Sequence, residues 1–441
     1  MPLRDSAMAE KQRFSVAVVG LIAIFGYLFI YHYHHEQSNG GIHLGDFRTF
    51  YQAGQFVRAH RDIYTAGYND AQKYVYPPLI AVACVPLTYL PEVTAAHVAL
   101  ALDWLTLLAS LLLAARIMTD RLPGGRGAGV CAAAFIAAVL GENEMRAELT
   151  MLETDALMLL MFTLALWWLD KKPILAGLAL ALAFNIKYLP VVALPYLLIR
   201  RRWTASAAMI LGCVFFALLP ALALGWNEDV RCLRVSMGGL LLWVGVSPQA
   251  SHSITVHNIA DTLSVSVTSA VARVLQPLGF SNAAAMAMAT CIAIGVLAII
   301  VGLYRKDRLP FWRWPGAAEQ AEAPFKALVA CEWAGLITAA IAFSPDTNPR
   351  HLVLAVLVNT LAAVLLLTPR PGESRVWLVA AALIIFVAFM APFRSPWIHR
   401  AWFRYSIPCW GLLIGYMMIA RTAVMRSRAS LAIPEKSTEF Q

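Results

Sequence analysis

Charge is scarce in this chain. Asp, Glu, Lys and Arg make up 14% of its 441 residues, against 60% apolar types, and the mean hydropathy is +0.64. So few charges cannot cover the surface of a water-soluble protein of this length, which excludes a soluble globule and leaves a polytopic membrane protein. Cysteine offers little chemistry either. Cys84, Cys131, Cys213, Cys291, Cys331 and Cys409 fall within apolar runs and Cys232 stands alone in a loop, with no metal-type spacing and no pair placed to bridge outside the membrane. A glycine-rich phosphate loop, a nucleotide-binding pattern, a Ser-His-Asp order, internal repeats and heptads are also missing.

The net charge of +9 would suit a nucleic-acid partner if the cations were gathered on one surface. They stand instead in short clusters between apolar runs: Arg121/Arg126, Lys171-Lys172, Arg200-Arg201-Arg202, Arg305-Lys306 and Arg421/Arg426/Arg428. That distribution marks cytoplasmic loops under the positive-inside rule, and nucleic acid is not needed to explain it. Residues 14–31, preceded by Arg4, Lys11 and Arg13, have the outline of a signal peptide. No small-residue cleavage site follows, so an uncleaved first span is expected.

With the N-terminus inside, residues 32–78 form a first external loop, and the run 79–90 between Pro78 and Pro91 is too short to cross. Spans are expected near 92–118, 128–140 and 155–169, with the acidic segment Glu142 to Glu148 as a solvated external loop. Residues 173–199 cannot be a single crossing, because Lys171-Lys172 and Arg200-Arg201-Arg202 would then lie on opposite sides. A hairpin that breaks at Asn185 to Pro190 solves this, each half being about 12 residues or roughly 18 Å of helix, with Lys187 at the tip. Further spans are expected near 204–225, 283–304, 325–343, 350–367, 376–391 and 402–420, with external loops at 226–282, 344–349 and 392–401. The result is an all-α bundle of about 11–13 transmembrane helices. It forms one domain over 1–425, with both termini cytoplasmic and a tail at 426–441.

This sidedness gathers the chemistry. Asp46, the stretch from Glu142 to Asp155, the His252/His257/Asn258 stretch and Ser344 to His351 are far apart in sequence yet all fall on the external face. Four such segments converging on one face suggest a site built from loops over a helical scaffold. Asp46 is followed by aromatics, Tyr51, Tyr64, Tyr74 and Tyr76, before the chain returns to the bilayer at Pro77-Pro78. A carboxylate in that setting suggests a lipid-facing catalytic pocket. Asp346 is placed to cap a helix starting near Pro349, whereas Arg350 and His351 oppose the dipole there and suit an anion such as phosphate. Glu153 and Asp155 sit at a membrane edge, where carboxylates are costly. The spacing of His252 and His257 does not suit a zinc site, and no metal is expected.

These residues resemble, in order, the membrane-embedded glycosyltransferases of the GT-C class, and most of all glycosyltransferase family 87, the polyprenyl-phosphate-mannose-dependent mannosyltransferases. The resemblance rests on Gly45-Asp46-Phe47 through Tyr51, Ile63-Tyr64, Tyr76-Pro77-Pro78-Leu79, Pro86-Leu87 and Leu90-Pro91. It continues through Ala176 to Ala183, Ile186-Lys187, Pro190, Arg200 to Trp203, and Ser344-Pro345 with His351. One departure is Leu152-Glu153-Thr154-Asp155, where the family often has a Gln-aliphatic-Asn element, and another is Arg350-His351 in place of a histidine pair. The resemblance implies a GT-C-type bundle in the plasma (inner) membrane, with its active site facing outside.

It further implies transfer of a hexose, mannose in the family, from a polyprenyl-phosphate sugar to a glycolipid or glycan acceptor. The donor is a co-substrate, no cofactor is expected, and membrane lipid is the surrounding partner. Such a donor carries its own leaving group, so the protein needs a base for the acceptor hydroxyl and cations for the phosphate. Asp46 is the expected base in an inverting displacement, with His351 orienting it or the acceptor. Arg350 and Lys187 are expected to hold phosphate, and Asp346, Arg48, Tyr51, Tyr76, Asp155 and His257 to line the substrate site. A transporter or flippase of a lipid-linked sugar is the alternative, since broken helices with buried charge also occur there.

Overall fold

The computed structural model describes residues 2–38, 44–64, 74–243, 258–307, 309, 323–370, 373–390 and 395–431. Among them every regular element is helical. The first half carries α1 (Pro2–Ser38), α2 (Phe47–Arg58), α3 (Pro78–Ala83), α4 (Glu92–Arg121), α5 (Val130–Leu140), α6 (Glu142–Met151), α7 (Asp155–Trp168), α8 (Pro173–Ile186), α9 (Ala193–Ile199) and α10 (Trp203–Leu218). The second carries α11 (Ala221–Leu224), α12 (Trp226–Trp243), α13 (Val267–Leu275), α14 (Asn282–Lys306), α15 (Ala323–Phe343), α16 (Val356–Leu367), α17 (Arg375–Met390), α18 (Pro396–Arg404) and α19 (Ile407–Leu431). Prolines set many of these limits: Pro91 precedes α4, Pro173 and Pro396 stand in the first turns of α8 and α18, and Pro190 helps end α8.

Seven of the helical stretches are long and apolar enough to cross a membrane: Phe14–Ser38, Glu92–Arg121, Trp203–Leu224, Asn282–Lys306, Phe325–Phe343, Pro349–Leu367 and Ile407–Ser427. The other expected crossings fall on shorter apolar helices such as Val130–Leu140, Asp155–Trp168 and Arg375–Met390. An 11-residue helix like α5 rises only about 16 Å, so it cannot span alone. Gly141 breaks it from α6, and the two together make the longer path.

Residues 173–202 form the expected hairpin. Gly177 of α8 lies against Ala205, Ala208 and Met209 of α10, and Gly212 lies against Ala181 and Leu178, so the two helices run in the same direction. Parallel neighbours require the chain between them to return, and the 3-10 turn Leu189–Val192 with α9 makes that return. Both ends therefore meet: Arg202 and Arg121 pair with Asp170 at 2.7 and 2.8 Å. Other cations of this basic end are neutralised in the same way. Arg200 pairs with Glu332, which also accepts from Tyr196 and Tyr304 at 2.9 Å each. Arg426, fully buried, pairs with Glu373 at 2.6 Å and donates to Leu365 O at 2.9 Å.

Several sequence expectations need correction. Arg426 belongs to the bundle and not to a tail, because Glu373 and the carbonyl ends of α16 offer it partners and α19 continues to Leu431. The stretch Glu142 to Glu148 is not a solvated loop: it is part of α6, whose Glu144 and Glu148 are buried. The loops drawn at 32–78, 226–282 and 392–401 contain helical structure, namely the end of α1 with α2, α12 with α13, and α18. Cys232 is a buried packing residue of α12, set among Phe50, Tyr64, Tyr74 and Ile186.

Small residues allow the close approach on which these contacts depend, as expected where lipid supplies no hydrophobic drive between helices. A Cβ at Gly177 would stand 2.3 Å from Ala205 O and 2.7 Å from Met209 N. Gly177→Val should force α8 from α10 and cost about 1–3 kcal/mol, read as a lower melting temperature in detergent. Gly295→Val on α14, where nothing lies within 4 Å, should leave it unchanged.

Candidate active site

Two unusual backbone positions aim the first two carboxylates at each other. Gly45 has φ +47°, and a Cβ there would stand 2.2 Å from Met151 O, so only glycine fits. This close approach lets Asp46 N–H donate to Met151 O at 2.9 Å, and it docks the start of α2 on the end of α6. Asp46 holds the N-cap position of α2 but makes no capping bond with its side chain. On the other side, Leu152 ends α6 in the left-handed region at φ +52°. For a residue with a Cβ that costs about 1–2 kcal/mol, and the turn directs Glu153 inward.

Three more segments close the cluster. Lys187 ends α8 at the hairpin tip, Tyr76 leads into α3, and Arg350 and His351 begin the 3-10 helix Pro349–Ala355. Glu153 is the hub. Its carboxylate takes Lys187 Nζ at 2.6 Å, Arg350 Nη2 at 2.8 Å and the Tyr76 hydroxyl at 3.3 Å. His351 Nε2 lies 3.6 Å away. Arg350 Nη2 bridges to Asp46 Oδ2 at 2.8 Å. Lys187 also pairs with Asp155 Oδ1 at 2.9 Å, while Asp155 Oδ2 is 3.5 Å from His351 Nε2.

Two carboxyls bridged by one guanidinium nitrogen compete for a proton, and their surroundings decide which is the more readily protonated. Burial and the neighbouring Glu153 push Asp46 up to about 8, against the opposing pull of Arg350 and Lys187. Burial would also raise Glu153, but Lys187, Asp46, His351 and Arg350 hold it well below the usual carboxylate range. The surroundings thus favour charge on Glu153 and the proton on Asp46. His351 is oriented by its own helix start: Nδ1 accepts from Asn348 N–H at 3.3 Å. The remaining ring proton then sits on Nε2, facing Glu153 and Asp155.

Of the residues expected from sequence, Asp46, Tyr76, Asp155, Lys187, Arg350 and His351 meet here. Arg48 pairs with Glu92 at 3.2 Å, and Tyr51 donates to Leu90 O at 2.8 Å, so both anchor α2 to the turn before α4. Asp346 is not the cap: Asn348 takes that role in a capping box with His351, and Ser344 bonds to the Asp346 backbone. His257 lies outside the described residues. Lys187 differs in role from the expected phosphate ligand, since its ammonium is taken up by Glu153 and Asp155. In the sequence Glu153 stands out only as a costly acid at a membrane edge. The signal that singles it out is a pair of acids one residue apart at the start of an apolar helix, which needs a buried cation in reach.

Glu153, Asp155 and His351 each offer one ligand atom within 4.8 Å of the others, the spread a metal ion would need. Lys187 Nζ lies 2.6, 2.9 and 3.3 Å from these three residues, so a cation already neutralises the acids. The His351 tautomer also places a proton where a metal would bind.

The family model of Glycosyltransferase family 87 matches residues 74–318, more than half of the chain. The chain belongs to glycosyltransferase family 87. The matched stretch includes Tyr76, Glu153, Asp155 and Lys187, while Asp46, Arg350 and His351 complete the cluster from beyond its ends. Among solved structures, this family 87 chain is similar to ArnT from Cupriavidus metallidurans bound to undecaprenyl phosphate, at 15% identity over 93% of this chain and 78% of that one, with a TM-score of 0.41. It is also similar to ArnT of the same organism in the apo state, at 17% identity over 86% and 72%, with a TM-score of 0.35. No curated protein matches the chain.

In this membrane glycosyltransferase, removing the hub's cation should be costly. Lys187→Met leaves Glu153 and Asp155 buried without it, for an expected loss of about 3–5 kcal/mol. The melting temperature in detergent measures this, and Glu153→Gln with Asp155→Asn in the same background should recover much of the loss. An unchanged melting temperature for Lys187→Met alone would contradict the reading.

Proposed function

We propose that this chain transfers a hexose, mannose by its family resemblance, from a polyprenyl-phosphate carrier to a hydroxyl of a glycolipid or glycan, with inversion and with Asp46 as general base. The observation that carries the reading is the contact of Asp46 Oδ2 with Arg350 Nη2 at 2.8 Å. It sets a base and a phosphate-binding cation side by side, and this displacement needs both.

The acceptor hydroxyl gives its proton to the Asp46 carboxylate as its oxygen bonds to the anomeric carbon. The bond from that carbon to the phosphate oxygen breaks, and its electron pair leaves on the phosphate. Arg350 is suited to receive that charge, because its Nε–H is buried with no hydrogen-bond partner among the described residues. Lys187 acts from behind as the counter-ion of Glu153 and Asp155. His351 acts through the same two acids. Membrane sidedness follows from charge: Arg121, Lys171-Lys172 and Arg202 gather at the end of the bundle opposite the hairpin tip. Under the positive-inside rule that end is cytoplasmic, and the site lies toward the other side.

Asp46→Asn should leave the protein folded and inserted but lower transfer by about 100- to 10,000-fold in a radiolabelled lipid-sugar assay. Near-normal turnover would remove Asp46 from the mechanism. Because Asp46 must be ionised to act and is pushed up to about 8, kcat/KM of the native enzyme should rise with pH through about 8 and then level. A rate already flat from pH 6 would contradict that assignment.

A further inference from the structure

We propose that Glu153 is a positioning residue for the transfer: as the carboxylate that faces Asp46 across one bridging guanidinium, it sets how readily Asp46 becomes available as the base. The inference rests on the reading of Asp46 as base and deepens it.

The asymmetry of donors supports it. The Glu153 side chain is completely buried. Four groups face it besides Asp46: Lys187 at the end of α8, Arg350 and His351 at the start of the 3-10 helix, and Tyr76 ahead of α3. Asp155 lies beyond Lys187 at the start of α7, and Glu148 on α6 and Asp103 on α4 are near enough to feel its charge. Among the described residues Asp46 pairs with one cation, the Arg350 Nη2 that also reaches Glu153. A carboxylate with so many donors stays anionic, so the one proton of the pair rests on its partner. When that proton leaves, both acids carry charge and Arg350 spans them. Asp46 then has an open oxygen for the acceptor's proton.

A merely structural Glu153 and a proton-setting Glu153 differ in the pH profile of Glu153→Gln. The glutamine amide keeps the size and donates to the Asp46 carboxylate, while the neighbouring negative charge is gone. The rising limb of kcat/KM should move to lower pH by about one unit or more, the scale of a like-charge effect at contact. Glu153→Asp should return the limb toward its native position. An unmoved limb in Glu153→Gln, whatever the rate at plateau, would overturn the proposal. Should Glu153→Gln fail to fold, infrared spectra of the native protein near neutral pH decide. A protonated-carboxyl band that Asp46→Asn removes is expected, and a native spectrum without it would overturn the proposal. Failure of the base reading looks different: Asp46→Asn would stay active. An inactive Asp46→Asn with an unmoved limb in Glu153→Gln would sink this inference alone.

Discussion

A buried carboxylate with a lysine at 2.6 Å holds this site together. Glu153 and Lys187 are 34 residues apart and stand at the ends of different helices, and neither is tolerable alone where water is excluded. Once paired, they bring the end of α8 to the start of α7 and leave a negative centre that Arg350 and Tyr76 then approach. Five separate stretches of chain are joined through this centre, and each brings a group that an apolar bundle could not otherwise hold. The backbone cost at Leu152 is explained in the same terms, since that turn directs Glu153 inward.

The bundle keeps its two ends chemically different. At one end arginines meet single acids and backbone carbonyls in self-contained pairs: Arg121 and Arg202 with Asp170, Arg200 with Glu332, Arg426 with Glu373. These pairs fasten helices. At the other end acids and cations converge on one centre, and among the described residues the guanidinium of Arg350 keeps a donor unspent. Fastening at the first end lets the second depart from tidy pairing. Close helix contacts at Gly177 and Gly212, and at Gly411 and Gly415 against Ala388 and Ile385, hold the two ends in register.

Much of this arrangement was legible in the sequence because charge is so rare in it. Asp46, Lys187, Arg350 and His351 stand out at the edges of apolar runs, and the hairpin at 173–202 follows from the need to keep two basic clusters on one side. Other features depend on three-dimensional neighbours that spacing does not encode. Glu153 differs little from Asp155 until Lys187 and Arg350 are seen to converge on it. Arg48 and Tyr51 belong to the same motif as Asp46, yet Glu92 and Leu90 claim them as anchors. Asp346 yielded the cap to Asn348 because the turn starts two residues later and recruits His351. Arg426 resembled a tail cation for want of any local sign that Glu373 would reach it.

The hairpin has one more consequence. Its tip forms the floor of the site, and directly behind the tip lie Ile186, Ala183 and Leu180, all buried. Behind the lysine the helix turns apolar within one residue, and its Asn185 is closed off by bonds to the carbonyls of Ala181 and Cys213. One helix can thus carry a charged group at its end while most of its length stays suited to an apolar bundle.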